Sequence, residues 1–133
     1  MAKQELQPFQ DEVLGVMPWD EDEGGWVGRT AGGAFRIVVA GGQQPHPSLL
    51  APARALSANP SNFIAQVASL LRAFADRVPD AASEVLALRI EALYLARPDR
   101  PADGMIYFTG PDPYRVWRCD YVAGVPRDLG FDD

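Results

Sequence analysis

The chain has 133 residues, 47% hydrophobic and 23% charged, with a formal net charge of −6. That length and apolar content fit one domain with a real core and exclude a chain disordered throughout. The acidic balance argues against a nucleic-acid binder, which shows a basic face, and is matched instead to a basic protein partner. Arg115, Arg118 and Arg127 lie close in sequence, but Asp112, Asp120 and Asp128 alternate with them and cancel a basic patch. Cys119 is the only cysteine, which leaves no internal disulfide and fits a reducing compartment. No run approaches the ~18 apolar residues of a membrane span. The N-terminus has no basic stretch followed by an apolar one, so no signal peptide is expected and the location expected is cytoplasmic.

The first eleven residues are polar and are expected to form a flexible N-terminal segment, with a single domain over 12–133. Glu12 to Met17 reads as a first strand, ended by Pro18, which cannot donate to a ladder. Asp20, Glu21, Asp22 and Glu23 followed by two glycines make a turn. Trp26 to Thr30 and Ala34 to Ala40 are the next strands, with Phe35, Ile37 and Val39 on one face. Leu49 to Ala58 reads as a helix. Asn59 is a good cap for the next helix and Pro60 a good first residue. Phe63, Val67, Leu70, Leu71, Phe74 and Val78 then repeat at three-and-four spacing, giving one apolar stripe up to Pro79. Asp80 to Leu88 is a short helical turn. Ile90–Leu95, Met105–Thr109, Tyr114–Val122 and Val125–Leu129 are strands. In the third of these, Trp117, Cys119 and Tyr121 alternate with Val116, Arg118, Asp120 and Val122, a period of two. The fold class is therefore α+β: a β-meander, two central helices and a second β-meander, forming a mostly antiparallel sheet with the helices on one face.

Few residues carry chemistry. Asp20 and Asp22 have the spacing of the first two ligands of a calcium loop, but Ala31 stands where the twelfth-position glutamate belongs, so no metal site is expected. Trp19, between Pro18 and Asp20, borders the acidic loop. Trp19, Asp20, Glu21, Asp22 and Glu23 are the expected contact residues for a basic partner. His46, the only histidine, would need an orienting carboxylate or a nucleophile to act as a general base, as in a hydrolase. No spacing in the sequence supplies one, so no catalytic residue is assigned. Cys119 lies mid-strand with no positive charge on its face, which makes it a small buried hydrophobe. The glycines spell no phosphate loop, and no cofactor is expected. A second reading is a small-ligand or regulatory domain with a pocket between sheet and helix, lined by aromatic residues such as Tyr94, Tyr107, Phe108 and Tyr121. An exposed edge strand would permit a dimer, but nothing selects an oligomeric state.

The Trp26-Val27-Gly28 strand after an acidic turn, the helical middle, and the closing run from Trp117-Arg118-Cys119-Asp120-Tyr121 to Leu129-Gly130-Phe131-Asp132-Asp133 resemble small bacterial domains of unknown function. Similar α+β domains occur as immunity proteins of polymorphic toxin systems. The resemblance implies a standalone, non-enzymatic bacterial protein that binds another protein. It carries over no functional residue.

Overall fold

The computed structural model describes residues 6–132. Its main sheet has seven strands in the order β3 (Trp19–Asp20), β4 (Gly25–Arg29), β5 (Arg36–Val39), β6 (Arg89–Leu95), β7 (Gly104–Thr109), β8 (Val116–Val122) and β9 (Val125–Asp132). Every neighbouring pair is antiparallel except β5 with β6, which is parallel. The chain reaches β6 through α1 (Pro47–Ala58), α2 (Ser61–Arg77) and α3 (Ala82–Leu86). This is the α+β architecture expected: two meanders, with helices on one face. The composition of the central strands explains the parallel pair. Ile37, Val38, Val39, Ala92, Leu93 and Leu95 are buried on both sides of the sheet, as parallel strands require.

The core lies between helices and sheet. Phe35, Ile37 and Val39 point into it, with Leu93, Leu95, Ile106, Phe108, Trp117 and Cys119. They meet Leu49 and Ala53 of α1, Phe63, Val67 and Leu71 of α2, and Val85 of α3. Two of the three tryptophans, Trp26 and Trp117, are core residues. A cleft flanks α2 on each side. One is apolar, about 240 Å³, against Phe35 and Ile90; the other, about 330 Å³, opens toward Tyr121.

Helix boundaries differ from expectation at one junction. Asn59 does not cap α2. It ends α1, its N–H donating to the Ala55 carbonyl at 3.3 Å, and Pro60 precedes α2 without a side-chain cap. The apolar stripe of α2 suffices to hold the helix, since packing contributes more than capping in a helix of this length.

The N-terminal reading is corrected more substantially. Phe9–Asp11 (β1) pairs with Gly15–Met17 (β2), and residues 12–14 are the turn between them. The domain therefore includes residues expected to be flexible. Of that segment, Met1–Glu5 lie outside the described residues. The strand expected over Glu12–Met17 is bent because Asp11 organises a turn. Its carboxylate accepts from the amides of Val13 and Leu14, both at 3.0 Å, and from Arg54 Nε of α1 at 2.7 Å. Gly15 closes the turn at φ +76°, a conformation that favours glycine.

Burial alone would raise the Asp11 carboxyl, but Arg54 and the Leu14 and Val13 amides outweigh it and hold it below its ordinary value of 3.8. A carboxyl depressed in the native state stabilises fully above its unfolded pKa, and the contribution fades as pH falls through the lower native value. Asp11→Asn is expected to cost roughly 1–3 kcal/mol at neutral pH. The deficit should shrink at acid pH, as the pH falls through the lowered native value and wild type loses the same charge. Urea melts of both proteins at the two pH values check this, and a deficit independent of pH contradicts it.

Candidate binding face

Residues paired directly across neighbouring strands point to the same side of a sheet. One such row is Arg36, Ala92, Tyr107 and Arg118; the next is Val38, Tyr94, Met105, Asp120 and Arg127. Both rows lie opposite the core residues that meet the helices, so this side of the sheet carries no helix. Val38 and Ala92 are buried between their neighbours, whereas Tyr94, Tyr107, Met105 and Arg118 are half-exposed.

The acidic loop reaches over this face. Glu23 accepts from Arg36 Nη1 at 3.1 Å and from the Tyr94 hydroxyl. Arg36 also lies 3.5 Å from Glu91. The rings of Tyr94 and Tyr107 meet edge to face, with centroids 5.1 Å apart. Arg118 donates to Asp132 at 3.0 Å. Burial first, and then the bond to Glu23, raises the Tyr94 phenol above its ordinary value, so it stays a neutral donor. The face thus presents aromatic rings and guanidinium groups whose rotamers are held before any partner arrives.

The five residues expected to make contact divide. Asp20 shapes its own loop, accepting from the amides of Asp22 at 2.9 Å and Glu23 at 3.1 Å. Glu23 turns onto the sheet. Glu21 and Asp22 are exposed at the tip. Trp19 is half-buried and packs its ring at 5.6 Å from that of Trp26, so it belongs to the core margin. The reading of residue types missed Arg36, and it placed Tyr94 in a pocket between sheet and helix rather than on this face. The alternation of Phe35, Ile37 and Val39 put Arg36 on the outward side, which was the available signal. Nothing local showed which side of the sheet Tyr94 takes.

The other candidates are placed as follows. His46 caps α1: its Nδ1 accepts from the Ser48 amide at 3.3 Å. The Ser48 hydroxyl lies 3.0 Å from the same nitrogen but donates to the Pro98 carbonyl at 2.9 Å. The pair is exposed, and among the described residues no carboxylate orients the ring, so the geometry is that of a helix cap. The Cys119 thiol is buried, and that burial, with the Asp120 charge adding, pushes its pKa up to about 12. Of the aromatic residues expected to line a pocket between sheet and helix, only Tyr121 does so; Phe108 is core, and Tyr94 and Tyr107 are on the opposite side. Among the described residues no three His, Cys, Asp or Glu side chains are grouped to hold a metal ion. No described helix is long and apolar enough to cross a membrane.

Comparison with protein-family models, with curated proteins and with solved structures finds no match. The chain is, by its own geometry, an α+β domain with one side of its sheet packed by helices and the other, among the described residues, free of them.

Proposed function

We propose that this chain is a non-enzymatic, cytoplasmic protein-binding module of the immunity or inhibitor type, docking its partner on the helix-free side of the sheet. The observation that supports this is the pre-ordered set of Arg36, Tyr94, Tyr107 and Arg118 on a side of the seven-stranded sheet that no described helix covers. Tyrosine and arginine dominate the energetics of protein interfaces, and side chains already fixed lose less entropy on binding. The net charge of −6 attracts a basic partner from a distance, with Glu21 and Asp22 exposed at the loop tip. Its mode of action is steric: a bound partner loses access to the surface the sheet covers.

The test is quantitative binding to the protein captured from the native host. Tyr107→Ala with Arg118→Ala is expected to weaken binding by roughly 10–100-fold, mainly through faster dissociation. Glu21→Gln with Asp22→Asn is expected to slow association and reduce its salt dependence. Binding by the first variant at wild-type strength, with its fold intact by circular dichroism, defeats the proposal.

A further inference from the structure

The cleft of about 330 Å³ between α1, α2 and the sheet differs chemically from the rest of this acidic surface. No charged residue lines it, although 23% of the chain is charged. Its polar groups are the carboxamides of Asn59, Asn62 and Gln66 and the hydroxyl of Tyr121. Asn59 and Asn62 are exposed and Gln66 half-buried, and among the described residues none of the four side chains has a hydrogen-bond partner in the protein. Two of them are held by regular structure: Asn62 and Gln66 are one turn apart on α2 and share a side of it. Tyr121 comes from β8, half-buried, with its ring edge to face against Phe63 at 5.4 Å. The remaining wall is apolar, from Leu56, Leu93 and Leu95. A volume near 330 Å³ is at the lower end of small-ligand sites, which run roughly 300–1,000 Å³.

These groups specify an occupant. The lining offers no side chain that could form an ion pair with a phosphate, carboxylate or ammonium group. A carboxamide presents a donor and an acceptor side by side in one plane, which matches the edge of a nucleobase. The apolar and aromatic wall suits the base's faces, whereas a sugar would need polar partners on several sides. We infer that this cleft is a binding site for a neutral, planar, nucleobase-class ligand, read by Asn59, Asn62 and Gln66 with Tyr121 at its edge. The site is independent of the bare side of the sheet, since it opens on the opposite one.

The experiment titrates the full chain with adenosine, guanosine, cytidine and uridine, followed by calorimetry and by the side-chain amide resonances of Asn59, Asn62 and Gln66. At least one nucleoside is expected to bind saturably and to shift those resonances. Asn62→Leu with Gln66→Leu is expected to weaken that binding more than about tenfold, the loss of one or two hydrogen bonds. Tyr121→Phe, which keeps the ring, is expected to weaken it by a smaller factor. Ile64→Ala, on the other flank of α2, is expected to leave it unchanged and controls for helix stability. Three results overturn the inference: no nucleoside binds, glucose binds as well as any nucleoside, or the double variant binds like wild type. Loss of partner binding in the sheet-face variant, with nucleoside binding retained, separates this site from that one.

Discussion

Trp117→Ala is expected to destabilise the protein by about 3–5 kcal/mol, enough to lower Tm by roughly 10–20 °C. Trp117 is 1% exposed and joins three parts of the molecule. Its ring meets Phe74 of α2 at 5.8 Å and Phe131 of β9 at 4.8 Å, and its indole N–H donates to Glu84 of α3. Glu84 also accepts from Arg115 at 2.9 Å, and Arg115 lies over the Phe131 ring. Truncation therefore opens a cavity and removes one of the donors to a partly buried carboxylate. Trp117→Phe keeps most of the packing and should recover more than half of the loss, leaving mainly the cost of the missing donor. Chemical denaturation of the two variants separates packing from hydrogen bonding. A cost below about 1 kcal/mol for the alanine variant would contradict this account of the core.

Gly104→Ala is the second large effect, at about 2–3 kcal/mol. A Cβ at Gly104 would overlap the Tyr94 carbonyl oxygen and stand 3.1 Å from Leu95 Cδ2. The first of these is backbone and cannot rotate away, so β6 and β7 must separate. The displacement falls on Tyr94, which loosens its contact with Glu23 as well. Gly130→Ala is the matched control on β9. Nothing lies within 4 Å of a Cβ there and its φ is ordinary, so the change should fall within about 0.5 kcal/mol of wild type. Thermal melts of the pair check the assignment. Equal behaviour of the two variants would mean that the close approach of β6 to β7 is not maintained in solution.

What could be read from the residues follows from the range of the interactions involved. Trp117, Cys119 and Tyr121 alternate with Arg118 and Asp120, so their inward face was legible from period alone, and Phe35, Ile37 and Val39 share a face by the same period although Val38 between them is also buried. The stripe on α2 was legible for the same reason, at its own period. The bend at residues 12–14 was not, because Asp11 organises it with help from Arg54, far along the chain. Val13 and Leu14 count as strand formers until that bond exists. Glu23 looked like one of four equivalent acids. Only the parallel pairing of β5 with β6 brings Arg36 and Tyr94 beneath it, and periodicity does not name a strand's neighbour. The neutral cleft was hidden in the same way. Asn62 and Gln66 fall outside the apolar stripe and read as ordinary solvated positions, and only the fold brings Tyr121 to the same cleft.

The single parallel join between β5 and β6 sets the order in which this molecule can assemble. Each meander closes by hairpins between sequence neighbours, which costs little loop entropy, whereas joining Arg36 to Ala92 requires the whole helical excursion to be gathered first. Docking of the two halves is thus expected to come late, and before it each half exposes an unpaired, strongly hydrophobic margin, Ile37-Val38-Val39 on one and Ala92-Leu93-Tyr94-Leu95 on the other. That interval is when the newly made chain is most exposed to self-association.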